Sequence, residues 1–173
     1  MPIEIVEFKA KVADHRIAEQ KLLTLSPDFR GTDNQVDTYF NVSKGRLKLR
    51  EGNIESSLIW YERPDEASSK LSQVRLYKHT PSPDLKELLA NLHGIKVIVE
   101  KARKIYFIEN VKFHFDTVPG LGDFIEVEAI SENGSPSRTR IQEQCDHYAA
   151  FLQVSPEDYM SLSYSDMLLT RKI

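Results

Sequence analysis

The sequence predicts an α+β fold, an antiparallel sheet of about eight strands with three to four helices packed on it. Three observations carry this. Segments of alternating polarity recur along the chain. Short turn-forming connections, such as Gly52-Asn53 and Asn133-Gly134, join most of them, which favours antiparallel pairing. Amphipathic stretches follow helix-starting residues in the remaining segments. A sheet of this size can close into a barrel and so lose its edges, although alternation alone does not dictate closure.

Residues 3–12 alternate strictly, with Val6, Phe8, Ala10 and Val12 on one face and Ile5, Glu7, Lys9 and Lys11 on the other. Asp14 is placed to cap a helix that runs to about Leu25 through Ile17 and Leu22, and Ser26-Pro27-Asp28 stops it. Strands are expected at about 34–41, 46–50, 57–63 (ended by Pro64-Asp65) and 72–79. Pro83-Asp84 opens a helix through Leu85, Leu88, Leu89 and Leu92 that Gly94 terminates. Three more strands follow at about 95–107, 110–117 and 123–131. Residues 138–152 form an amphipathic helix with Ile141, Cys145, Tyr148, Ala149 and Leu152, and Ser155-Pro156-Glu157-Asp158 starts a last short helical segment.

A chain of 173 residues suits one domain, expected over 1–173. The single cysteine, Cys145, excludes an internal disulfide framework and a multi-cysteine zinc site. No apolar run reaches the roughly 18 residues that span a bilayer. The charged, alternating N-terminus does not resemble a signal peptide, so a soluble cytoplasmic protein with no membrane partner is expected. A net charge of −3 argues against nucleic-acid binding through bulk charge, while leaving room for a local basic cavity.

The arrangement of charges is more informative than their sum. Arg46, Lys48 and Arg50 share one strand face, Lys101 shares a face with Arg103, and Arg63 lies in phase with Tyr61. Glu126 and Glu128 share a face with Phe124, and Asp116 is in phase with His114 and Lys112 on the preceding strand. Each strand alone fits a half-buried strand with its polar side in water. As a set, the grouped charges point to apolar faces packed under helices and charged faces lining an enclosed space. Carboxylates two apart on a strand lie about 7 Å apart and face the same way. They suit a hard divalent cation, while guanidinium and ammonium groups suit phosphate oxygens. Together these features match a metal–triphosphate complex. His114 is expected to hydrogen-bond a wall carboxylate, and the other histidines show no ligand spacing.

Several segments then carry a resemblance. They are Ile5-Val6-Glu7-Phe8-Lys9, Asp37-Thr38-Tyr39-Phe40, Gly45-Arg46-Leu47-Lys48-Leu49-Arg50, Tyr61-Glu62-Arg63-Pro64-Asp65, Glu100-Lys101-Ala102-Arg103 and the run from Asp116 to Glu128. In this order and spacing the chain resembles CYTH-domain proteins, the triphosphate tunnel metalloenzymes that include class IV adenylyl cyclases and thiamine triphosphatases. The resemblance implies a closed eight-stranded antiparallel barrel that binds triphosphate inside. It implies Mg²⁺ or Mn²⁺ on Glu7, Asp116, Glu126 and Glu128, and phosphates on Lys9, Lys48, Arg50, Arg63, Lys101 and Arg103. Lys9, Arg50 and Arg63 would be the catalytic residues among these. Family members often pair, so a homodimer is one expected state. The family's N-terminal signature is Glu-x-Glu-x-Lys, and Ile5 stands where its first Glu belongs.

The resemblance implies a metal-dependent enzyme acting on a small triphosphate. Hydrolysis is the first expectation, since it needs no base-recognition pocket. Conversion of ATP to cyclic AMP and pyrophosphate is the alternative. A non-catalytic polyphosphate or nucleotide binder is the third reading, favoured by Ile5.

Overall fold

The computed structural model describes residues 3–64 and 67–171; Asp65, expected at the end of a strand, lies outside them. Strict alternation makes Ile3–Val12 a strand, β1, with odd-numbered side chains on one side and even-numbered ones on the other. The other strands are β2 (Asp28–Phe40), β3 (Arg46–Glu51), β4 (Ser57–Glu62), β5 (Lys70–Lys78), β6 (Ile95–Ile108), β7 (Val111–Val118) and β8 (Gly122–Glu132). They form a closed antiparallel barrel in the order β1-β5-β4-β3-β2-β6-β7-β8, and β8 pairs back onto β1. Closure, which alternation left open, leaves no unpaired edge in the barrel.

The barrel keeps much of its apolar surface outside. Val6, Phe8 and Ala10 of β1, Phe113 and Phe115 of β7, and Ile125, Val127 and Ala129 of β8 point away from the interior. They bury beneath α1 (Arg16–Leu23) and α3 (Arg138–Phe151), which supply Leu22, Ile141 and Cys145. Burying a side chain such as Phe8 or Phe113 contributes roughly 1.5–3 kcal/mol. The second helix, α2 (Pro83–His93), covers Phe40 and Leu49 with Leu85 and Leu89. With the apolar contacts made outside, the interior is left for charge.

The last helix, α4 (Tyr164–Thr170), packs Tyr164 and Met167 against Tyr39, Val97, Val99, Val118 and Phe124. Those are inward-facing positions, so side chains fill this end of the barrel. A reciprocal capping box between Ser163 and Asp166 starts α4.

Two elements differ from expectation. Helix α1 stops at Leu23, and Ile17 and Leu25 are exposed rather than buried; Leu22 carries the contact. Asp14 is not the N-cap residue, and its carboxylate instead accepts hydrogen bonds from Arg16. β2 begins six residues earlier than expected, at Asp28 rather than 34. It continues through Gly31, whose φ of +119° few other residues adopt and where pairing with β6 shifts register. No helix among the described residues is long and apolar enough to cross a membrane.

Candidate functional site

Antiparallel register brings the inward charges together. Lys9 sits opposite Glu126 and Glu7 opposite Glu128 across β1/β8, Arg103 opposite Asp116 across β6/β7, and Arg50 opposite Asp37 across β2/β3. All of these except Asp116 line a cavity of about 590 Å³.

On one wall, three bases converge on one carboxylate. Arg50 donates twice to Asp37, at 2.8 Å each. Lys101 Nζ donates to the same carboxylate at 2.8 Å, and Lys48 Nζ stands 3.4 Å away. Burial alone would raise the Asp37 pKa, but Arg50, Lys101 and Lys48 outweigh it and hold the carboxyl well below its usual range. Lys101 shows the cost of this crowding. Burial first, then the charges of Arg50 and Arg103, outweigh Asp37 and push its ammonium down to about 7.

The opposite wall is carboxylate-rich. Arg103 chelates Asp116 at 2.7 and 2.6 Å and reaches Glu126 at 2.7 Å. Tyr164 Oη also donates to Asp116, at 2.7 Å. Glu126 lies 3.8 Å from Lys9 Nζ, and Arg63 pairs with Glu7. Glu126 titrates well below normal because Lys9 and Arg103 overcome its burial. Glu128 differs: it forms no ion pair with a lysine or arginine among the described residues. Burial and then the charge of Glu126 raise it to about 7.

His114 is fully buried beside this pair. Its Nδ1 stands 3.5 Å from Glu126 Oε2 and 3.9 Å from Glu128 Oε1. The expected contact with a wall carboxylate, Glu126, is present but long at 3.5 Å, and neither ring nitrogen makes a close, well-aligned hydrogen bond among the described residues. Burial, then the Arg103 charge, pushes the imidazole down to about 3, so it is neutral near pH 7.

Of the residues singled out in the sequence, Lys9, Lys48, Arg50, Arg63, Lys101, Arg103, Glu7, Glu126 and Glu128 line the cavity. Asp116 sits behind Arg103, with both oxygens engaged. Ile5 lines the cavity and packs with Ile59, Tyr61 and Val74. Glu4 does not replace it: the β1/β8 register runs without a bulge from Ile3 to Val12, and Glu4 faces outward to pair with Arg138. Lys11 is exposed.

Three further participants carry no role that the sequence pattern assigns. Asp37 was quoted in a motif but given no role, although its place opposite Arg50 makes it the hub of the basic wall. Glu55, in the β3–β4 connection, pairs with Lys112 and Arg50. Tyr164 comes from α4; its available signal was Ser163-x-x-Asp166 followed by Met167, Leu168 and Leu169.

A cation fits one part of this donor set best. Ligand atoms of His114, Glu126 and Glu128 lie within 4.8 Å of one another. Glu7 is paired with Arg63 and both oxygens of Asp116 are engaged, whereas Arg103 reaches only Oε2 of Glu126. Asp14, His15 and Asp123 form a second such group, but Arg16 already chelates Asp14.

The CYTH domain family matches residues 4–148. A Methanocaldococcus jannaschii protein named "Putative adenylate cyclase" is 25% identical over 175 residues, covering 94% of this chain and 97% of that one. A conserved hypothetical protein of Pyrococcus furiosus superposes with a TM-score of 0.79 at 25% identity, over 94% of this chain and 98% of its own. A Hippeastrum adenylyl cyclase homologue, described as revealing a dominant triphosphatase activity, shares the fold. Its TM-score is 0.60 at 17% identity, covering 99% of this chain and 96% of its own.

Proposed function

This chain belongs to the CYTH-domain family, and on that premise we propose that it hydrolyses a small triphosphate, with a divalent metal, inside the barrel. The observation that carries this reading is the meeting of Arg50, Lys101 and Lys48 on one carboxylate, Asp37, across the cavity from Glu126 and Glu128. A polyanion on the first wall and a cation on the second would complement both.

In this reading Arg50, Lys48 and Lys101 hold the phosphate chain, and Arg63 and Lys9 hold its reacting end. Arg103, fixed by Asp116, stabilises charge moving to the leaving group. Glu126 and Glu128 would hold Mg²⁺ or Mn²⁺, which would offset the phosphate charge. Water in line with the terminal phosphorus releases orthophosphate. A ribose 3′-hydroxyl in line with the α-phosphorus would instead give cyclic AMP and pyrophosphate. The M. jannaschii relative's name supports that second reaction, and the Hippeastrum homologue's description supports the first.

The test measures orthophosphate and cyclic AMP from tripolyphosphate, ATP and thiamine triphosphate, with Mg²⁺ or Mn²⁺. Orthophosphate is expected to exceed cyclic AMP. Cyclic AMP in excess would make the protein a cyclase. Micromolar binding without turnover would make it a binder. No rise in melting temperature with any triphosphate would remove triphosphate from the account.

A further inference from the structure

The imidazole of His114 has no structural role visible in its contacts. It is fully buried on β7, and neither ring nitrogen makes a close, well-aligned hydrogen bond among the described residues. A buried polar group without a close partner is destabilising, so its retention needs an explanation. Nδ1 points toward two carboxylates, at 3.5 Å from Glu126 Oε2 and 3.9 Å from Glu128 Oε1. Both separations are too long for good hydrogen bonds. They are right for sharing an ion, since two ligand atoms each about 2.1 Å from one cation stand roughly 3 to 4 Å apart. Glu126 Oε2 accepts from Arg103 and keeps a second lone pair. Glu128 Oε1 has no lysine or arginine partner among the described residues. Neighbouring position 5 offers only the aliphatic chain of Ile5.

We propose that His114 is a metal ligand, giving this chain a mixed nitrogen–oxygen site with Glu126 and Glu128 that favours Mn²⁺ or Co²⁺ over Mg²⁺. Nitrogen ligation disfavours Mg²⁺, which takes oxygen donors and holds its waters, and favours the later first-row ions. Nδ1 is the ligating atom, so the ring proton resides on Nε2. The inference rests on the proposed metal dependence but not on turnover.

The experiment uses the full chain loaded with Mn²⁺ and reads nitrogen hyperfine coupling to the metal by pulsed electron paramagnetic resonance. Calorimetric titrations with Mn²⁺, Co²⁺ and Mg²⁺ accompany it. The wild type is expected to show imidazole nitrogen coupling and to bind Mn²⁺ about tenfold or more tighter than Mg²⁺. His114→Leu, which removes no close hydrogen bond, is expected to lose the coupling and most of that preference. Bound Mn²⁺ without nitrogen coupling in the wild type overturns the inference whether or not the variant folds. So does coupling that persists in folded His114→Leu, which would assign it to another histidine. Triphosphate hydrolysis with an oxygen-only metal would leave the functional reading intact and reject this one. Nitrogen-coupled Mn²⁺ without hydrolysis would do the reverse. No divalent binding at all would reject both.

Discussion

On one wall of the barrel interior, Arg50, Lys48 and Lys101 converge on the carboxylate of Asp37, and Glu55 reaches only Arg50 among them, at 3.5 Å. On the other, Asp116 and Glu126 share Arg103, Lys9 stands 3.8 Å from Glu126 and Arg63 pairs with Glu7, while Glu128 has no lysine or arginine partner among the described residues. Both walls are buried, both are ion-paired, and they err in opposite directions. Buried ion pairs contribute little net stability even when balanced, and unbalanced charge is costly. A barrel built only to persist could fill its interior with apolar side chains, as the outer face of β1, β7 and β8 does beneath α1 and α3. The imbalance is therefore best explained by ligands: an anion for the first wall and a cation for the second.

The largest effect is expected at the acidic wall. Replacing Glu128 by Gln is expected to lower orthophosphate release by about 10²- to 10³-fold. Metal-free binding of tripolyphosphate, followed as a rise in melting temperature, is expected to persist. Equal loss of both would mean the two walls do not divide the roles.

Asp37→Asn is the matching change on the basic wall. It leaves Arg50, Lys101 and Lys48 without their shared counter-charge, and a loss of about 3 kcal/mol in denaturant unfolding is expected. Tripolyphosphate is expected to stabilise this variant more than the wild type, because it supplies the missing negative charge. A smaller ligand-induced shift than in the wild type would contradict that division.

Lys101 gives a finer probe. Its ammonium, facing Asp37, Arg50, Arg103 and Lys48, is held down to about 7. Phosphate favours the charged form and so raises that value on binding. Affinity for tripolyphosphate is therefore highest below about pH 7 and falls as pH rises above it, by at most about tenfold per unit. Lys101→Arg keeps its charge and is expected to flatten the dependence relative to wild type in parallel calorimetric titrations. Identical slopes would remove Lys101 from the binding set.

The smallest effect is expected at Ile5. Ile5→Glu adds a carboxylate beside Glu7 and is expected to raise metal affinity and turnover a few-fold. It also places a charge among Ile59, Tyr61 and Val74, which lowers stability. Unchanged turnover in folded protein would show that the site does not need an oxygen there.

Much of this was legible because period two is robust. Once β1 is read as alternating, Glu7 and Lys9 must share a face with Ile5, and the same logic aligns Lys48 with Arg50, Lys101 with Arg103, and Glu126 with Glu128. What alternation cannot supply is register between strands far apart in sequence. Asp37 and Lys101 meet only because β2 and β6 pair across the helix α2, so neither strand's sequence announces the shared carboxylate. The start of β2 was hidden for a local reason: Asp28 and Gly31 look like turn residues, and pairing with β6 overrides them. α4 is only seven residues long, too short for an apolar period to stand out, and Tyr164 was missed with it. The missing close hydrogen bonds of His114 are a property of three-dimensional placement, to which sequence phase gives only the direction.

The most direct test is a crystal structure with tripolyphosphate and Mn²⁺. Phosphate oxygens are expected against Arg50, Lys48 and Lys101, with the ion on Glu126 and Glu128. Phosphate held at the outer surface, or an ion seated beside Asp37 with the two glutamates bare, would contradict it.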